Sequence, residues 1–268
     1  MLVVIAVAVA AVRGVRAPSN ERVWHAQQRR VPRVTVRGPL VEVRNVRDFV
    51  YRSESDFDER YVDRTYDLRR LDSAWYVVSR FGGVPGLAHA FLSFGFGGEY
   101  VALSVEARKE RGESYSPLLG LLNSYELMYV AGSERDLIGV RTHVWKEEVT
   151  LYPVRATPDR LRQVFLAMLL RAERLAAEPE FYDTFFNSCN SNIVRHVNAI
   201  APGTVGFDLR TVLPGFSDRV AWELGLIDSS LPLERVREVY RVDPAAARLP
   251  LDEHFSRAIR ARFPRPRP

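Results

Sequence analysis

The chain has 268 residues, 47% of them hydrophobic and 11% aromatic, enough for one large core, and its 16 glycines and 16 prolines point to many turns rather than a helical bundle. Lys109 and Lys146 are the only lysines, so arginine carries nearly all of the positive side of the +5 balance; with no basic stripe interleaved with aromatics, the composition argues against nucleic acid as a partner. Surface arginines suit anionic lipid headgroups instead, because the guanidinium fork matches phosphate geometry.

"MLVVIAVAVAAV" opens the chain as an apolar run too short to span a bilayer comfortably and of the size of a secretory apolar region. Residues 1–17 are therefore expected to be an export signal or a membrane anchor. No basic residue precedes the run, and Arg13 and Arg16 stand where a cleavage site needs small residues, so a longer membrane segment trimmed by a late start codon gives the same pattern.

Alternation in the first half of "LVEVRNVRDFVYR", from Leu40, predicts a half-buried strand. The charged "SESDFDERYVDRTYDLRRLD" reads as an ordered loop with a short strand. Arg52, just before it, serves either as a headgroup or substrate clamp or, the favoured alternative, as part of a charge-paired loop that fixes the preceding strand. "AWYVVSRF", "GLAHAFLSFGF" and "EYVALSVEAR" follow as antiparallel strands joined by glycine turns, and, after a short helix at "SPLLGLLN", "YELMYVAG" and "EVTLYPVRA" continue the sheet.

Thr157 to Ala177 carries the clearest helix: Thr157 caps it, Pro158 suits its first turn, and Leu161, Val164, Phe165, Met168, Leu169, Ala172 and Leu175 recur at helical spacing. A second helix starts near Cys189, with Ile193, Val194, Val197 and Ile200 as its apolar face, and stops at "APG". Short helices follow from "LPGFSDRVAWELGLI" onward, and residues 261–268 are expected to be a disordered, extended tail. There is no internal repeat, no phosphate-cradling glycine loop and no cysteine pair for zinc, so neither cofactor nor metal is expected. Strands followed by helices predict the α+β class, an antiparallel sheet packed against helices.

Chemistry centres on "FFNSCNSNIVRHV", which holds the one cysteine, Cys189. A lone cysteine has no partner for a disulfide within the chain and is either an inert buried thiol or a reactive one. Its polar neighbours favour reactivity, and a helix start lowers a thiol's pKa through unpaired amides and the macrodipole. Among the histidines, His196 lies seven residues along the same helix, about 10 Å away, and reads as a surface or packing residue. His25 and His254 lie near the termini, and His143 in "RTHVWKEE" looks solvated. His89 opens a central strand after the glycine-rich "FGGVPGLA" and is the chosen base, the alternative being a core histidine satisfied by backbone. The adjoining strand offers Ser104, Glu106 and Glu110 to orient the ring; strand pairing favours Glu106, with a structural Glu106–Arg108 charge array as the other option. Tyr115 either lines a cleft or packs.

"VRNVRDFVYRSESDFDERYVDRTYDL", "GLAHAFLSFGF", "YVALSVEARKERGESYSPLLGLLNSYELMYVAGSERDLIGVRT" and "YDTFFNSCNSNIVRHV" together resemble the N-terminal periplasmic domain of the Lnb-type lipoprotein N-acyltransferases. The resemblance runs over residues 34–260. A histidine on an early strand with a later cysteine at a helix start also looks like a circularly permuted papain-type fold, shared by permuted NlpC-type hydrolases and the lecithin:retinol acyltransferase group. The resemblance implies that Cys189 is the nucleophile, His89 general base and then acid, and Glu106 the residue that holds the ring. It further implies a phospholipid acyl donor, an acyl thioester on the cysteine, and a lipoprotein or peptide amine as acceptor at a membrane surface of the cell envelope, with no cofactor. This chain shows no long apolar segment after Val12, whereas the larger relatives join the domain to membrane helices, so the N-terminal run takes the role of anchor. The alternatives are a cysteine hydrolase of peptidoglycan amides, peptides or acyl esters, and a non-enzymatic envelope domain.

Overall fold

The computed structural model describes residues 16–263, so nearly all of the expected signal or anchor, and most of the expected tail, lie outside the described residues. The strands are β1 (Arg33–Arg37), β2 (Leu40–Arg47), β3 (Val50–Tyr51), β4 (Phe57–Asp58), β5 (Tyr61–Asp67), β6 (Leu71–Arg80), β7 (Ala88–Phe96), β8 (Glu99–Arg108), β9 (Glu126–Gly132) and β10 (Glu148–Pro153). They form an open sheet in the order β1-β2-β9-β8-β7-β6-β10, with β5 also on β2 and β3-β4 as a separate ribbon. Its pairings are antiparallel except for one parallel step, Arg47 with Gly132.

Local chemistry explains the meander. Phe96 pairs with Glu99 across Gly97 and Gly98, both at positive φ, which glycine adopts without steric cost and which a tight β7–β8 hairpin requires. Both faces of β7 are covered: Ala90, Leu92 and Phe94 are buried on one, Phe91 and Ser93 on the other, so the strand reads as a continuous apolar run. The charged segment after β2 folds into β3, β4 and β5. Arg52 bonds Asp56 and Asp58 there, which makes it a loop-fixing residue.

Helix α1 (Glu134–Gly139) runs into a wide π turn at Val140–Val144, then come α2 (Pro158–Ala177), α3 (Cys189–Ile200), α4 (Leu209–Val212), α5 (Pro214–Glu223), α6 (Leu233–Tyr240), α7 (Asp243–Ala246) and α8 (Phe255–Ala258). Thr157 caps α2 by accepting from the Arg160 amide, and Leu161, Phe165, Met168, Leu169, Ala172 and Leu175 are its buried face. Ser188 and Ser191 close a capping box on α3, which packs against β7 and β8. The segment "SPLLGLLN", expected to be helical, holds only the single tight turn Leu119–Leu121, because Ser116 and Gly120 are drawn into bonds that fix a loop. His143, expected in solvent, lies in the π turn with Nε2 donating to the Leu249 carbonyl at 2.9 Å. Among the described residues no helix is long and apolar enough to cross a membrane.

Candidate active site

Strands β7 and β8 pair only as far as Phe91 with Ser104. Beyond that pair each keeps its outer neighbour, β6 down to Ala88 and β9 up to Arg108, but they part from one another. Continuing the register two residues brings His89 level with Glu106 across the split. The helix start of α3 closes on the same gap: Cys189 occupies the first turn, its side chain 4% exposed, and the backbone amides of Ala90 and Asn190 donate to its sulfur.

The hydrogen bonds fix the imidazole tautomer. Ser104 Oγ donates its one proton to Glu106 Oε1 at 2.8 Å, so at 2.6 Å from His89 Nε2 it accepts. His89 Nε2 therefore carries a proton and lies 3.4 Å from Glu106 Oε1. Nδ1 is left as the ring nitrogen for the thiol, and His89 is the first of the groups that favour ionisation of Cys189. The ring stacks on Phe91 at 5.6 Å between centroids, which limits its rotation.

Charge follows from the same contacts. Burial works against an imidazolium at His89, but the Glu106 carboxylate and the bond to Cys189 outweigh it and raise the ring's pKa to about 9. Burial likewise opposes the thiolate; the His89 contact, then the Ala90 and Asn190 amides, overcome it and lower the cysteine below its usual value. Glu106 is held well below the carboxylate range despite burial, by His89 first and then Arg141, whose guanidinium lies 3.6 Å away. These contacts favour a thiolate–imidazolium pair backed by a carboxylate. That arrangement is competent for nucleophilic attack on a carbonyl followed by protonation of the leaving atom.

Cys189, His89 and Glu106 thus lie together, and they line a cleft of about 360 Å³. Tyr115 also lines the cleft, its hydroxyl 3.3 Å from that of Tyr182, so of its two sequence readings the cleft-lining one describes its position. Glu110 lies elsewhere, near Arg22, and Arg108 turns to the carbonyls of Gln28 and Arg29, so the Glu106–Arg108 array does not form. His196 is buried, its Nε2 at 2.8 Å from the Tyr129 hydroxyl, a packing residue rather than a surface one. Ser104, rather than standing as an alternative to Glu106, bridges it to His89; the two-residue spacing that puts both on one face of the strand is its sequence signal. Arg141, from the π turn, carried no local signal at all. No group of three or more candidate metal ligands occurs among the described residues.

The chain matches no curated protein and no solved structure. Residues 57–215, from β4 to the start of α5, match the Lnb N-terminal periplasmic domain. That stretch holds Cys189, His89, Ser104, Glu106 and Arg141 and is more than half of the chain, and so the protein belongs to the Lnb N-terminal periplasmic domain family.

Proposed function

We propose that the protein is a cysteine acyltransferase of the cell envelope, built on a circularly permuted papain-like plan, that takes an acyl chain from a phospholipid and passes it to the N-terminal amine of a lipoprotein or peptide. The observation that carries this reading is the line of Cys189, His89 and Glu106, with Ser104 bridging the last two, in the lining of a cleft.

In the first half-reaction the Cys189 thiolate attacks the ester carbonyl and forms a C–S bond. The C–O bond breaks, and the leaving lysophospholipid oxygen takes the proton held at His89. In the second, His89 removes a proton from the attacking amine as the C–N bond forms and the C–S bond breaks. The thiol proton is then shared again between sulfur and ring. The first-turn amide of Asn190, which already bonds the sulfur, marks a helix terminus suited to the developing oxyanion.

Loops at the lip of the cleft support a lipid donor. Pro117, Thr184 and Leu213 line it; Leu118, next to Pro117, and Phe186, two residues beyond Thr184, are 74% and 73% exposed, an apolar fringe of the kind that enters a headgroup layer.

Intact-mass measurement tests the reading directly. Incubation with phosphatidylethanolamine vesicles leaves an acyl adduct on Cys189 that hydroxylamine removes, and a lipoprotein N-terminal peptide then accepts it. Cleavage of peptide or glycan amides with no adduct would replace this reading with a hydrolase, and an unchanged cellular phenotype in folded Cys189→Ser and His89→Ala proteins would replace it with a non-enzymatic domain.

A further inference from the structure

We infer that the apolar groove running along α3 is the seat of a saturated acyl chain whose carbonyl is held at Cys189, an inference that rests on the acyl-transfer reading above. The groove is separate from the catalytic cleft and encloses about 140 Å³ between the sheet, α2, α3 and α5. Ile193, Val194, Val197 and Ile200 of α3, Leu92 of β7 and Ala221 of α5 are among its walls.

Two elements lead from the thiol into it. Helix α3 places Cys189 at its first position and Asn190, the next residue, in the groove wall, and the wall continues along the helix to Ala201. Those eleven steps at 1.5 Å each give a length of about 16 Å. Strand β7 does the same: the Ala90 amide bonds the sulfur, and Leu92, the next residue on that face, lines the groove.

Polar side chains mark the thiol end of the groove, where the Tyr76 hydroxyl donates to Asn190 Oδ1 at 2.9 Å and meets Ser217 Oγ at 2.5 Å. Arg155, Arg160, Thr204 and Thr211 also line it, but most of the wall is apolar, and an apolar enclosure of this size takes up hydrocarbon. A carbon chain advances about 1.3 Å per atom, the projection of a C–C bond of about 1.5 Å, so about a dozen carbons span the groove. The enclosed volume is close to that of cavities that take up benzene, so only part of such a chain is surrounded. The rest lies along the half-buried side chains of Val194, Val197 and Ile200. A folded protein partner has no segment of that bore, and a thin flexible chain does.

The full-length chain carrying Cys189→Ala, which removes the covalent step, is titrated with saturated fatty acids from six to sixteen carbons below their micellar concentrations. Affinity is expected to rise up to about fourfold per enclosed methylene and to level off near a dozen carbons. Ala221→Phe and, separately, Val194→Trp fill the groove from opposite walls; each folded variant is expected to weaken dodecanoate binding at least tenfold. Absence of saturable binding, or binding unchanged in both filled variants, overturns the inference. The adduct assay separates it from the reading beneath: an adduct forming at equal rate in the filled variants removes the groove and keeps acyl transfer. Groove-dependent dodecanoate binding with no adduct in the wild type keeps the groove and removes acyl transfer.

Discussion

Two histidines, the half-buried His89 and the buried His196, sit in very different electrostatic company. Each meets a hydroxyl, Ser104 Oγ at 2.6 Å for His89 and Tyr129 at 2.8 Å for His196, and burial acts on both to disfavour the charged ring. Yet His89 is raised to about 9 and His196 lowered to about 4. The difference lies in the charged neighbours. His89 faces the Glu106 carboxylate, whereas His196 faces the guanidinium groups of Arg171 and Arg195, which add to the burial. A buried, hydrogen-bonded imidazole is therefore not yet an acid–base catalyst; the group behind it decides whether it holds a proton at neutral pH.

The largest expected effect comes from exchanging the roles. His89→Ala is expected to slow acyl-thioester formation by about 10²–10⁴-fold, the usual worth of a positioned acid–base group, and Cys189→Ser to abolish the hydroxylamine-labile adduct. His196→Phe is expected to leave the rate within about twofold while lowering the denaturation midpoint, because the Tyr129 hydroxyl loses the nearer of its two partners, His196 and Asn192. A rate loss in His196→Phe equal to that of His89→Ala would undo the distinction.

Next in size is the removal of the carboxylate. With Glu106 present the imidazolium persists to about 9, so a reaction that needs it to protonate the leaving oxygen loses rate as pH rises through that value. In Glu106→Gln the alkaline limb is expected to move down towards the ordinary histidine value of 6.5, costing about tenfold or more in rate at pH 8. Stability follows the same sign: the His89–Glu106 contact contributes in full below pH 6.5, and its contribution is lost as pH rises through about 9. A limb that stays at 9 in Glu106→Gln would assign the shift to another group.

His196 gives the opposite slope. Its folded pKa of about 4 lies below the unfolded value of 6.5, so between those values the unfolded chain takes up a proton that the folded chain refuses. Stability is present above pH 6.5 and falls as pH drops towards 4, by about 2–3 kcal/mol if the ring stays closed in. Urea unfolding of the wild type and His196→Phe at pH 7 and pH 4.5 measures it, and the variant is expected to show the shallower loss.

The sequence made the two histidines separable for a limited reason. Strand and helix starts leave local marks: the glycines before β7, the serine before α3, and the periodicity that separates His196 from Cys189 by two turns. Cys189, His89 and Glu106 each stand close to such a mark. What His196 touches was not legible, since Tyr129, Arg171 and Arg195 converge only when β9, α2 and α3 pack. Arg141 behind Glu106 was hidden for the same reason, and so was the bond that takes His143 out of solvent, made to Leu249, 106 residues away. The α+β class and the meander followed from glycine turns and alternation. The splitting of β7 from β8, which lets a helix on one face reach an imidazole on the other, is a register fact that no single strand displays.

Ser104 offers the smallest and most selective change. It relays the His89 Nε2 proton towards Glu106, yet the carboxylate is itself 3.4 Å from that nitrogen, so the charge that raises the ring survives without the hydroxyl. Ser104→Ala therefore removes orientation and keeps electrostatics. The expected outcome is a loss of about three- to tenfold in adduct formation, the scale of one modest hydrogen bond, with the alkaline limb still near 9. A Ser104→Ala limb that drops as far as that of Glu106→Gln would mean the carboxylate acts only through the serine. In that event the contrast with His196 would rest on the relay and not on the charge behind it.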